Sequence, residues 1–203
     1  MKKVVLATGN PGKIVEIGAA LAMVGIEVQG VEAKDAQSPV EETGSTFEEN
    51  ARIKAEAYSL RTPLPVLADD SGLEVDALGG APGVESARYG GPGLDDPGRC
   101  RLLLEALQGV PAAKRTARFR CVLAVAQGGR TLATFEGAVE GRITEAPRGA
   151  NGFGYDPVFF HEEACRTFAE LSREEKQRLS HRGQAIARFI EAVQGGRLRL
   201  DLA

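Results

Sequence analysis

The chain has 203 residues, 43% of them hydrophobic and 26% charged, close to the average of globular proteins. Those values exclude a disordered, collagenous or coiled-coil chain, and the length allows a core that buries well over half of the unfolded surface. A formal net charge of −3 argues against a nucleic-acid-coating protein, which needs clustered excess cations. No apolar run approaches the ~20 residues of a membrane span. The run after Met1-Lys2-Lys3 is too short for the apolar region of a secretory signal, about 7–15 residues. A cytoplasmic protein without a nucleic-acid or membrane partner is the expectation. Three cysteines with no CxxC spacing, Cys100, Cys121 and Cys165, read as reduced packing residues.

In chain order, Lys3-Val4-Val5-Leu6-Ala7 is an apolar run suited to a strand covered on both faces. It stops at Thr8-Gly9-Asn10-Pro11-Gly12-Lys13, where Asn10 is a helix cap and Pro11 a first helical residue. Ile14, Ile17, Leu21 and Val24 follow at helical spacing. Thr46 with Glu49 forms a capping-box pattern and opens a second helix, whose inner stripe is Phe47, Ala51 and Tyr58. Lys54 falls at the centre of that stripe and Asn50 on its edge. Pro65 to Ala68 reads as a short strand ending at Asp69-Asp70-Ser71-Gly72, with Leu73 to Val75 continuing extended, and Asp96-Pro97 opens a helix through Leu107. Thr116–Ala126 and Thr131–Ile143 read as a hairpin about Gly128-Gly129, with bulges at Gly137 and Gly141. Pro157–Phe160 is a further short strand. A capping box at Ser172 and Glu175 and a stripe of Ile186, Phe189, Ile190 and Val193 make the C-terminal part helical. The pattern predicts an α/β fold: one domain over residues 1–203, with a mixed, elongated central sheet flanked by helices, in two lobes around a cleft.

Four constellations carry chemistry. The turn Thr8 to Lys13 joins a strand to a helix N-terminus, whose open N–H groups and dipole suit a phosphate, and Lys13 adds a formal charge. It lacks the Walker spacing, and an ordinary βα turn fits it equally. The acidic pairs Glu41-Glu42 and Asp69-Asp70 each send one carboxylate to a given side of an extended chain. One Glu and one Asp converging would suit a hard divalent ion, although Glu41-Glu42 alone also reads as a solvated loop. In Gly152 to Pro157 two glycines flank Phe153, which can stack on a base or fill a core. Finally, Lys176 with Ser180-His181-Arg182-Gly183 offers donors for a base carbonyl or a phosphate. The other histidine, His161, reads as a surface residue.

These segments, with Gly79 to Gly83 and Ser86 to Tyr89, resemble the non-canonical purine nucleoside triphosphate pyrophosphatases, the inosine triphosphate pyrophosphatase family, over nearly the whole chain. The resemblance implies hydrolysis of ITP, dITP and XTP to the monophosphate and pyrophosphate, a requirement for Mg²⁺, and a homodimer. It implies Asp70 as general base, with Lys54 beside it, and Glu41 and Asp70 as metal ligands assisted by Asp69 or Glu42. Thr8, Gly9, Asn10, Pro11, Gly12, Lys13, Lys54 and Ser71 would bind the triphosphate. Phe153, Gly154, Tyr155, Asp156, Lys176, His181 and Arg182 would hold the base and sugar-phosphate. A Maf-like pyrophosphatase and a non-catalytic purine triphosphate sensor are the alternatives.

Overall fold

Pro11 cannot continue a strand ladder and its fixed φ suits a first helical turn, so the opening apolar run must end where a helix begins. The computed structural model describes residues 2–31 and 40–200. Strand β1 (Lys2–Leu6) leads to helix α1 (Pro11–Ala22), with the Asn10 side chain accepting from the Lys13 N–H. Then follow β2 (Ile26–Gly30), α2 (Phe47–Ser59), β3 (Val66–Val75), α3 (Asp96–Ala106), β4 (Thr116–Gln127) and β5 (Arg130–Ile143). The chain closes with β6 (Phe159–His161), β7 (Arg166–Thr167), α4 (Arg173–Leu179) and α5 (His181–Gln194). The sheet order is β2-β1-β3-β4-β5-β6-β7. β1 lies parallel to both β2 and β3, whereas β5, β6 and β7 run antiparallel. The expected mixed α/β sheet is therefore the one that forms.

The chain divides into two compact units. The first comprises Met1–Asp70, Cys121–Gly137 and Gln184–Ala203. On one face of its strands, Val4, Leu6, Leu67, Cys121, Leu123 and Val125 pack against Ile17, Ala20 and Leu21 of α1 and Ile186, Phe189 and Val193 of α5. Side chains alternate along a strand, so Val5, Val66, Ala68, Val122 and Ala124, all buried, belong to the opposite face. Helix α2 buries Phe47, Ala51, Ala55 and Tyr58, and its capping box at Thr46 and Glu49 is formed. Ile14 leaves the expected stripe and is exposed.

The second unit comprises Ser71–Arg120 and Ala138–Gly183. Its core joins Leu73 and Val75 of β3, Cys100 and Leu103 of α3 with Leu107 at its C-cap, Phe119 of β4, and Phe159 and Phe168. Phe119 lies 4.6 Å from Phe159 and 5.9 Å from Phe168 between ring centroids. Arg115 is buried yet satisfied, donating to the carbonyls of Leu107, Val110 and Thr144.

Several local expectations are corrected. β3 does not end at Asp69 but runs unbroken through Asp69-Asp70-Ser71-Gly72 to Val75. What ends there is its parallel neighbour, since the register pairs Leu6 with Leu67 and β1 stops at Leu6. β5 passes through Gly137 and Gly141 as one 14-residue strand. Gly141 serves close approach: a Cβ there would strike the Phe160 carbonyl and lie 2.7 Å from the Phe159 ring. The late strand is β6, two residues beyond Pro157. His161 is buried, not at the surface, with Nδ1 accepting from the Ala164 N–H, and Cys165 is exposed while Cys100 and Cys121 are buried.

Two measurements test this architecture. Gly141→Ala overpacks the β5–β6 contact and lowers stability by roughly 1–3 kcal/mol, read as a lower urea midpoint, while Gly9→Ala, with open space around it, leaves the midpoint within about 0.5 kcal/mol of the parent. Equal losses would contradict the close approach. Burial, reinforced by Asp96 and Asp156, pushes the Cys100 thiol up to about 11. Alkylation of the native protein at about pH 8 therefore modifies Cys165 and spares Cys100, since only a thiolate reacts.

Candidate active site

The first unit builds a charged cluster just beyond the end of β1. Adjacent strand residues face opposite sides, so Asp69 shares the α1 face with Leu67, and Asp70 shares the α2 face with Val66 and Ala68. Each meets a different lysine. Lys13, in the first turn of α1, places Nζ 3.0 Å from Asp69, while Lys54, from the inward face of α2, places Nζ 3.1 Å from Asp70 Oδ1. Lys54 also lies 2.9 Å from Glu42. Asp69 is 0% and Asp70 6% exposed. Among the described residues, two lysines thus face three carboxylates.

Electrostatics follow from that grouping. Burial raises the Asp70 pKa above the ordinary carboxylate value, and Glu42 adds to the effect, against opposition from Lys54 and Lys13. Burial works against the Lys54 charge, yet Asp70, Asp69 and Glu42 together outweigh it and hold its pKa above the usual lysine value. Asp70 Oδ2 is buried and has no hydrogen-bond partner among the described residues. Such a carboxylate is a better base than an exposed one. Its oxygen without a partner among the described residues also fits a hard divalent cation, which takes oxygen ligands.

The turn ahead of α1 is largely exposed at Gly9, Asn10 and Pro11. Thr8 Oγ1 accepts from the Asn10 N–H at 3.2 Å, and Asn10 Oδ1 from the Lys13 N–H at 3.2 Å. Of the acidic pair, Glu41 is exposed and Glu42 half-buried. The rule that only one of two neighbours points inward holds, and Glu42 is the one that reaches Lys54.

The second unit gathers the remaining predicted residues. Gly152 and Gly154 are left-handed, at φ of 75° and 62°, and a Cβ on Gly152 would collide with the Asp156 carboxylate. That carboxylate accepts from the Phe153 N–H at 2.8 Å and from Lys176 Nζ at 2.5 Å. Asp156 and Lys176 are both buried, and removing one partner of such a pair costs about 3–5 kcal/mol. Lys176 Nζ lies 4.5 Å, and the Arg182 guanidinium carbon 5.5 Å, from the Phe153 ring centroid. Arg182 Nη2 donates to Ser71 Oγ at 2.7 Å. The His181 ring stacks on Phe119 at 4.7 Å. Tyr155 is buried, its hydroxyl donating to the Ser86 carbonyl at 2.8 Å, and burial raises its pKa. Ser180 Oγ caps α5 through the Gly183 N–H, and Gly183 is small because a Cβ would strike the Gln177 carbonyl.

Sequence reasoning missed Asp96, which accepts from the Gly154 N–H at 2.7 Å, and Phe119, which backs His181. Asp96 does open α3, with Asp95 as its cap, but its reach to Gly154 depends on a partner distant in sequence. Phe119 was visible only as one member of an alternating strand.

Residues 4–192 match the Ham1 family. The dITP/XTP pyrophosphatase of Geobacillus kaustophilus is 51% identical over 99% of this chain and 100% of its own length. That of Thermus thermophilus is 51% identical over 96% of this chain and 93% of its own. The structure of a HAM1 protein from Coxiella burnetii superposes with a TM-score of 0.85 at 42% identity, over 96% of this chain and 100% of that one. The Staphylococcus aureus Ham1 protein gives 0.84 at 40% identity, over 97% and 100%. With the match extending over nearly its full length, the chain belongs to the Ham1 family.

Proposed function

We propose that this protein hydrolyses the non-canonical purine nucleoside triphosphates ITP, dITP and XTP to the monophosphate and pyrophosphate, clearing them from the nucleotide pool. The observation that carries the reading is the Lys54–Asp70 pair. Lys54 holds one oxygen of a buried carboxylate at 3.1 Å and leaves the other without a hydrogen-bond partner among the described residues. Relatives 51% identical are named dITP/XTP pyrophosphatases, which supports the substrate class.

In this reading Asp70 is the general base. It takes a proton from the water whose oxygen attacks the α-phosphorus. The bond from that phosphorus to the oxygen shared with the β-phosphorus breaks, and pyrophosphate leaves with that oxygen. Little covalent work falls to the protein, so charge neutralisation and positioning dominate. Lys13 and Lys54 supply formal charge, Thr8 to Lys13 offer a helix N-terminus for phosphate oxygens, and Ser71 adds a hydroxyl. Lys54 keeps the Asp70 carboxylate in one orientation.

Phe153, Gly154, Tyr155, Asp156, Lys176, His181 and Arg182 take the nucleoside end. Phe153 offers a face for the base, and His181 and Arg182 offer donors to a 6-oxo group. A 6-amino group would present donor to donor and leave polar groups unpaired, which discriminates strongly.

Mg²⁺ fits the oxygen-only donor set, with Asp70 and Glu41 as its protein ligands. Glu42 shares Lys54 with Asp70, and Glu41 is exposed. When bound, such an ion neutralises phosphate charge and lowers the pKa of a coordinated water. The same reading makes the protein a cytoplasmic homodimer.

Product analysis tests the reaction. With ITP or XTP and Mg²⁺ the protein releases the monophosphate and pyrophosphate, and kcat/KM for ATP is at least about 100-fold lower. Orthophosphate and a diphosphate as products, or equal turnover of ATP, would overturn the proposal. Asp70→Asn lowers kcat by about 10²–10⁴-fold while nucleotide binding persists in calorimetry; unchanged turnover would remove Asp70 from the mechanism. Glu41→Gln raises the Mg²⁺ concentration for half-maximal rate about tenfold, as loss of one anionic ligand predicts. If Glu42→Gln alone has that effect, the ligand is Glu42.

A further inference from the structure

Asn50 has no part in the chemistry above, yet it is 0% exposed and stands four residues before Lys54, on the same face of α2. Its Oδ1 accepts from the Gly44 N–H at 2.8 Å. Its Nδ2 is buried with no hydrogen-bond partner among the described residues. A buried donor left unpaired is costly. An apolar residue would avoid that cost but could not receive the Gly44 N–H.

Gly44 ends the segment Glu41-Glu42-Thr43-Gly44. A Cβ at position 44 would sit 2.6 Å from Glu49 Cβ and 2.7 Å from Asn50 Oδ1. The segment can settle on α2 only because residue 44 lacks a side chain and residue 50 offers a carboxamide oxygen. The next two residues are fixed as well: Ser45 N, Ser45 Oγ and Thr46 N all donate to Glu49 Oε2, at 2.7, 2.9 and 3.1 Å. Two residues upstream of the Gly44 anchor, Glu42 reaches Lys54. Anchor and lysine belong to one helix, so α2 sets the distance between the acidic segment and the Lys54–Asp70 pair.

We propose that Asn50 is a positioning residue: by receiving the Gly44 N–H it holds the acidic segment so that Glu42 reaches the catalytic cluster. The proposal rests on the pyrophosphatase reading for the reaction it serves, but the anchoring is read without substrate. In the ligand-free protein the Gly44 amide exchanges slowly with solvent. Asn50→Ala speeds that exchange about tenfold or more, as expected when a protecting hydrogen bond is lost. Asn50→Ala and Gly44→Ala, which break the contact from opposite sides, each lower kcat on ITP by about 10–100-fold and change KM by less than about threefold, since the loss lies in the chemical step. The double variant is no worse than either single one, because both remove the same contact. Tyr58→Leu, a core change on the same helix, lowers the melting temperature without that loss of kcat.

A Gly44 amide that stays protected in Asn50→Ala overturns the proposal. So does an equal loss of kcat in Tyr58→Leu, or additive effects in the double variant. If Asn50→Ala fails to fold, Gly44→Ala carries both measurements. Absence of ITP turnover in the parent protein sinks the pyrophosphatase reading alone, and the Gly44 exchange rate then still decides whether Asn50 anchors the segment.

Discussion

Two neighbouring aspartates buried on a strand set the problem that the first unit solves. Strand alternation sends Asp69 and Asp70 to opposite faces, so no single cation can serve both from one side. An unpaired buried carboxylate would take up a proton rather than stay ionised. Each face therefore needs its own lysine, and the chain provides one at the first turn of α1 and one on the inward face of α2. The capped start of α1, with Asn10 holding the Lys13 N–H, brings Lys13 to Asp69. The placement of Lys54 among buried Phe47, Ala51 and Tyr58 brings it to Asp70. Helix starts and helix phases thereby become determinants of carboxylate chemistry. The parallel register adds the location, because β1 ends while β3 continues and the open positions fall past the end of β1, where parallel sheets gather ligands.

The second unit satisfies its charges by different means. Lys176 is neutralised by Asp156 in a buried pair, and that pair also fixes the Phe153 backbone. Lys176 and Arg182 both lie over the Phe153 ring, an arrangement that cation–π attraction favours. The aromatic ring is thus part of the electrostatics. His181 takes its orientation from Phe119, which belongs to the core through Phe159 and Phe168. The His181 ring is in this way tied to the buried aromatic core of the unit.

Much of this was legible in the sequence wherever a local rule acts alone. The Asn10–Pro11 start of α1, the capping boxes at Thr46 and Ser172, and the Gly128-Gly129 hairpin turn, with φ of 57° and 80°, are short-range effects and needed no tertiary knowledge. The inward phase of Lys54 could be counted from the helical period. What escaped depends on partners distant in sequence. Whether Asp69 ended a strand could not be told from its own neighbours, because the answer lies in where β1 stops. Gly137 and Gly141 read as interruptions of a strand that in fact runs on through both, and that Gly141 makes room for β6 depends on a strand distant in sequence. The choice between Glu41 and Glu42 was open because alternation says that one points inward without saying which. His161 offered no pattern at all, and its burial follows from β6 being covered on both faces.

Two buried polar atoms without a hydrogen-bond partner among the described residues belong to the Lys54 helix and the Asp70 strand that it meets. Asp70 Oδ2 and Asn50 Nδ2 lie on or beside one helix–strand contact, while each unit has a continuous apolar core elsewhere. A protein tuned for stability alone would fill such a place with packed apolar residues, which often stabilises relative to buried ionic groups. This chain instead keeps charge, an unused acceptor and an unused donor at one spot, and stabilises it with caps, a glycine contact and two lysines. Departures from local consistency concentrate where function demands them. Here two of them fall at the Lys54–Asp70 contact, where a buried carboxylate keeps one oxygen without a hydrogen-bond partner among the described residues.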